Sequence, residues 1–190
     1  MSKYTKDIEE AVKVMRNGGI ILYPTDTVWG IGCDATNADA VRKIYELKKR
    51  DDSKAMICLI DSDSRISRYI RNVPDVAWDI LTMANTPTTL ILDGASGLAS
   101  NLIAEDGSIA MRITQEEFSK ELCYRMQKPI VSTSANISGE PAAQNYRDIS
   151  QEILDGVDYV CASRRNEHEP HKPSSIIKLA QNGQVTIIRK

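Results

Sequence analysis

Apolar residues recur along this chain at two alternating periods. In TKDIEEAVKVMRNGG, residues Ile8, Ala11, Val12 and Met15 share one helical face, with Thr5 placed to cap the start and Gly18 and Gly19 to stop it. The run IILYP that follows is too short for a helix and closes on Pro24, which predicts a buried strand, and the next segment, TDTVWGIGCDATN, reads as a loop. ADAVRKIYELKKR repeats the helical pattern through Val41, Ile44, Tyr45 and Leu47, and AMICLI repeats the strand. Helical spacing returns over residues 63–83. The strands TTLILD and IAMRI then flank a long connection at residues 94–108. Thr114 with Glu117 three residues later is a capping-box pattern opening the helix QEEFSKELCYRM, and PIVSTS is the next strand. A helix near residues 147–154, a strand VDYVCA, a polar loop SRRNEHEPHKP and the pair SSIIKL and VTIIRK around Asn182-Gly183 finish the pattern.

This alternation predicts an α/β (α+β) fold: a single twisted mixed β-sheet with helices packed on it, closed by an antiparallel hairpin. No repeat or linker interrupts it, so residues 1–190 are expected to form one domain. A content of 42% hydrophobic and 26% charged residues belongs to an ordinary globular chain and excludes disorder. The net charge of -2 argues against a uniformly basic nucleic-acid binder but leaves room for a local phosphate site. Cys33, Cys58, Cys123 and Cys161 are widely spaced, without a C-x-x-C pair, as in reduced cytosolic proteins. The N-terminus lacks the apolar core of a signal peptide and no run has membrane-spanning length, so a cytoplasmic location with no membrane partner is expected.

Four stretches carry candidate chemistry. YPTDTVWGIG places Thr25, Asp26 and Thr27 after a strand, followed by Gly30 and Gly32; it suits a turn, or a loop presenting hydroxyls to a polar ligand. ELKKRDDSK gathers Lys48, Lys49, Arg50 and Lys54 past a helix end, more cations than helix capping needs and a suitable cluster for a triphosphate. Arg112 interrupts an apolar strand, where it requires a carboxylate or a ligand anion. VSTSANISGEP sets Ser132, Ser134 and Asn136 where a strand becomes a loop, as turn formers or as donors to a ligand at the strand's carboxyl end. His168 and His171 in HEPH stand beside Pro170 with no completing ligands, which disfavours a metal site. Serine-hydrolase, Walker A and G-x-G-x-x-G patterns are missing.

Taken together, GGIILYPTDTVWGIG, LKKR and VSTSANISGEP, in this order and spacing, resemble the YrdC family of threonylcarbamoyl-AMP synthases across essentially the whole chain. The resemblance implies a YrdC-like fold and a nucleotidyltransferase that joins L-threonine, bicarbonate and ATP into threonylcarbamoyl-AMP, releasing pyrophosphate and water. Magnesium (Mg2+) would accompany the nucleotide, with no metal ligands from the protein. The product would serve threonylcarbamoyladenosine modification of tRNA through the tRNA threonylcarbamoyl transferase complex. By the same resemblance Lys48 and Arg50 are the catalytic, phosphate-binding pair; Thr25, Arg112, Ser132 and Ser174 face threonine; Thr89, Ser134, Asn136 and Arg189 join Lys48 and Arg50 around ATP. The chain departs from the family pattern at Trp29, usually tyrosine, at Thr114, usually proline, at Ser175, usually threonine, and in NTPTT, which keeps only Pro87 and Thr89 of a Pro-Gly-Pro-x-Thr element. Two alternatives stay open at this point: a module binding double-stranded RNA or tRNA, and a divergent nucleotide-handling relative without synthase activity.

Overall fold

The computed structural model describes residues 3–50, 56–167 and 172–190; Lys54, His168 and His171 lie outside them. The chain opens with helix α1 (Thr5–Arg16), which buries the expected stripe of Ile8, Ala11, Val12 and Met15. Tyr4, not Thr5, occupies its N-cap and supplies no side-chain capping bond. Strands β1 (Ile21–Tyr23) and β2 (Gly30–Gly32) follow, paired antiparallel with Tyr23 opposite Gly30 and Ile21 opposite Gly32. The segment expected as a loop therefore contains a strand.

Helix α2 (Ala38–Leu47) is capped by the Asn37 side chain, which accepts from the backbone N–H groups of Asp39 and Ala40. Beyond β3 (Ile57–Ile60), the expected helical stretch divides into a 3-10 turn, α3 (Ile66–Tyr69) and α4 (Asp75–Met83). Pro74 at the N-cap of α4 fixes that break, because the residue before a proline avoids helical geometry. Strands β4 (Thr88–Leu92) and β5 (Ile109–Ile113), helix α5 (Glu117–Met126) and strand β6 (Ile130–Ser134) come next. The cap of α5 corrects the capping-box expectation: Glu116 accepts from the N–H groups of Phe118 and Ser119, while Thr114 bonds the Ser119 hydroxyl at 2.7 Å. Helix α6 (Gln151–Gly156), β7 (Tyr159–Val160), β8 (Ser175–Leu179) and β9 (Val185–Arg189) complete the described elements.

The strands form one mixed sheet in the order β7-β1-β2-β6-β3-β5-β4-β8-β9. The pairs β1–β7, β3–β5 and β4–β8 are parallel, and the others, including the closing β8–β9 hairpin, are antiparallel. Side chains alternate across each strand, so the sheet builds a separate core on each face. On one face Cys58, Ile60, Leu90 and Met111 meet Val41 and Ile44 of α2, Ile66 of α3 and Ile153 of α6. On the other, Ile21, Tyr23, Leu59 and Ile130 meet Ile8 and Met15 of α1 and Phe118 and Leu122 of α5. All four cysteines are free and buried in these cores.

Candidate functional site

The sheet rows that run through β6, β3, β5 and β4 form the floor of a cavity. Register places Ser132 opposite Ile57, Ile57 opposite Ala110 and Ala110 opposite Ile91, a single cross-strand row. Two residues along, Arg112 stands opposite Thr89, Thr89 opposite Ile176 and Ile176 opposite Arg189. Both rows border an open cavity of about 370 Å³, also lined by Thr27, Gly30, Arg50, Ser134 and Ser174, within the size range of small-molecule sites. Its lining contains three arginines and no carboxylate among the described residues. A chain of net charge -2 has thus concentrated cations in one concavity.

Arg112 meets two neighbours through Nη2. Its guanidinium lies 2.8 Å from Asp26 Oδ1 and donates to Thr27 Oγ1 at 3.3 Å, while its Nε is buried and without a partner. The ion pair expected of a charge in an apolar strand is present, and Arg112 also lines the cavity. Burial pushes the Asp26 carboxyl up from its usual range, and the Arg112 charge pulls it partly back.

Six of the expected site residues line the cavity: Arg50, Arg112, Ser132, Ser134, Ser174 and Arg189. Four do not. Thr25 Oγ1 donates to Val28 O at 2.7 Å and accepts from Thr27 N at 3.0 Å, so its hydroxyl is used up in shaping the turn. Thr27, whose Oγ1 accepts from Arg112, is the threonine of this turn that lines the cavity. Thr89 is fully buried behind Ser174, its Oγ1 2.8 Å from Ser174 Oγ. Asn136 donates to the carbonyls of Ile137 and Glu140, at 3.0 and 2.8 Å, and closes its own turn. Lys48 is 1% exposed and donates from Nζ to the carbonyls of Ser134 and Asn136. Its burial, with the Arg50 charge second, brings the ammonium down to about 8.

Gly30 and Gly32 are needed for space, not for a left-handed backbone. Neither has positive φ; they make room for the Tyr23 ring, whose Cε1 would lie 2.6 Å from a Cβ built on Gly32. Arg164 escaped sequence reasoning altogether. It donates to Thr25 O at 3.2 Å, pairs with Glu116 at 3.0 Å and with Glu167 at 2.6 Å, and so fastens the Thr25 turn to the start of α5. Its surroundings, SRRNE, look like a solvated charge run, and nothing local marks it. Trp29 packs on Tyr146 with ring centroids 5.2 Å apart, away from the cavity.

A family profile named for Sua5, YciO and YrdC, with the description "Telomere recombination", matches residues 13–190. The chain belongs to the Sua5/YciO/YrdC family. Threonylcarbamoyl-AMP synthase of Pseudomonas paraeruginosa is 35% identical over 182 residues, covering 92% of this chain and 93% of its own length. E. coli YciO superposes with a TM-score of 0.84 at 25% identity, over 97% of this chain and 89% of its own. The P. abyssi Sua5 complex with L-threonine superposes with a TM-score of 0.80 at 24% identity. That match covers 90% of this chain and 50% of the Sua5 chain, so the chain spans about half of that protein's length, and the likeness is one of fold. The single mixed sheet with packed helices is the family's architecture.

Proposed function

We propose that this protein is a threonylcarbamoyl-AMP synthase, a nucleotidyltransferase whose cavity takes ATP, L-threonine and bicarbonate. The observation that carries the reading is the lining of three guanidiniums and several hydroxyls, without a carboxylate among the described residues. Such a lining matches a polyphosphate and an amino-acid carboxylate, the two anions this reaction brings together. Sequence relatives bearing the synthase name over nearly their full length support the same reading.

In this reading Arg50 and Arg189 take the phosphates, and Arg112 takes the threonine carboxylate beside Thr27 and Ser132. Ser134 and Ser174 supply hydroxyls to the nucleotide and amino acid respectively. The unprotonated threonine amine adds to bicarbonate or carbon dioxide to give a carbamate. A carbamate oxygen attacks the α-phosphorus of ATP, the bond to the bridging oxygen breaks, and pyrophosphate leaves with that electron pair; the bicarbonate route releases one water. No protein nucleophile enters, so the residues act by positioning and by offsetting charge. Magnesium arrives with the triphosphate and shares its charge. The product then passes to tRNA modification through a transferase complex.

The cations line a concavity instead of an exposed face, which favours a small anionic ligand over an RNA duplex. The deciding experiment is pyrophosphate release by the purified protein from ATP and magnesium, with L-threonine and bicarbonate each omitted in turn and the adenylate identified by mass. Release that needs both and yields threonylcarbamoyl-AMP is expected. A folded protein that forms none of this product overturns the proposal.

A further inference from the structure

Lys48 departs furthest from what its charge predicts. A lysine in a basic run beside an anion-binding cavity should reach the cavity, yet Lys48 is among the largest fully buried side chains and borders none of it. It stands at the C-cap of α2, and three contacts join it to the turn leaving β6. Nζ donates to Ser134 O and to Asn136 O, and the Lys48 carbonyl accepts from Ser138 N at 2.8 Å. The Asn136 amide draws in the other end of the same turn through Ile137 O and Glu140 O. Ser134, at the start of the turn, lines the cavity. The ammonium is the shared donor to both carbonyl oxygens, and without it both would lose a charge-assisted partner.

From this geometry we infer that Lys48 is a positioning residue: it fixes the turn from Ser134 to Ser138 and acts on the bound nucleotide through Ser134, without touching the phosphates. The two cations of the Lys-x-Arg run then divide the work, Lys48 shaping the wall and Arg50 lining the cavity. The inference rests on the cavity being the nucleotide site, but its first test does not.

That test is amide hydrogen exchange in the ligand-free protein, comparing wild type with Lys48→Met and Arg50→Ala. Loss of two charge-assisted hydrogen bonds should speed exchange at residues 135–140 by about tenfold or more in Lys48→Met, with β3 and β5 amides unchanged and Arg50→Ala like wild type. Unchanged exchange in the turn, or acceleration shared equally by β3 and β5, overturns the inference. The second test is binding of ATP and AMP. Lys48→Met should weaken both by similar factors, whereas Arg50→Ala should weaken ATP selectively; a loss in Lys48→Met that is about tenfold greater for ATP than for AMP would mark direct phosphate contact and overturn positioning. Should Lys48→Met fail to fold, Lys48→Gln keeps an N–H donor without the charge and should show the same pattern at smaller size. If wild type binds neither nucleotide, the proposed function fails while the exchange comparison still decides the role of Lys48.

Discussion

The Arg112 guanidinium lies 2.8 Å from Asp26 Oδ1, with the two side chains 3% and 11% exposed, and the pair ties β5 to the turn between β1 and β2. Removing one partner would leave the other as an uncompensated buried charge. Asp26→Ala should therefore destabilise the protein by about 3 kcal/mol in urea unfolding, well above the effect of an exposed pair. A loss below about 1 kcal/mol would show that solvent reaches Arg112 and replaces the carboxylate.

Arg50 lines the cavity, is half-buried and belongs to neither core, so its loss should register in the reaction and leave the cores untouched. Arg50→Ala is expected to lower the pyrophosphate-release kcat/KM for ATP by about 100-fold or more, with an unaltered circular dichroism spectrum. Near wild-type kinetics in a folded variant would remove Arg50 from the phosphate site.

Thr25 and Thr27 should separate in the KM for L-threonine. Thr25→Ala loses the turn bonds to Val28 O and Thr27 N, costing about 1 kcal/mol in urea unfolding while the KM for L-threonine stays near that of wild type. Thr27→Val keeps the shape but removes the hydroxyl that meets Arg112 and, at 3.1 Å, Thr25 Oγ1; it should cost about 1 kcal/mol as well and raise that KM by about tenfold. The reverse pattern would restore Thr25 as the substrate contact.

Gly32 is occupied by necessity of space. A Cβ there would sit 2.6 Å from both Tyr23 Cε1 and Val131 O, neither of which can retreat inside the sheet. Gly32→Ala should cost about 1–3 kcal/mol by overpacking, measured by thermal or urea unfolding. A neutral substitution would mean that β2 shifts freely against β6.

Lys48 predicts a pH dependence with a definite sign. Its ammonium is held down to about 8 in the fold, by burial first and the Arg50 charge second, against 10.5 in an unperturbed lysine. Between those values the unfolded chain binds more protons, so the contribution of Lys48 to stability rises with pH, by up to about 1.4 kcal/mol per pH unit. Below that window both states are protonated and the cost of burying the charge is at its maximum. The stability difference between wild type and Lys48→Met, measured from roughly pH 7 to pH 10, should shift in favour of wild type as pH rises; a flat difference would contradict the depressed value.

Much of the fold was legible because its signals are local. The stripe of Ile8, Ala11, Val12 and Met15, the short run before Pro24 and the Asn182-Gly183 hairpin each specify an element within a few residues. The strand Gly30–Gly32 was not legible, since glycine has no strand preference and the pairing depends on the Tyr23 ring closing over it. Glu116 as the cap of α5 and Arg164 as a clasp on Thr25 were equally hidden, for their partners are chosen by approach in space.

The sequence by itself determined the alternating elements, the single sheet and the residue types of the site, because periodicity and motif spacing are properties of neighbours along the chain. Only the tertiary structure decided which members of each motif meet the cavity. Arg50 reaches it and Lys48 does not, Thr27 reaches it and Thr25 does not. The physical reason is that a buried polar group without a partner is costly, and for Lys48 and Thr25 the partners at hand are backbone groups of the turns they hold.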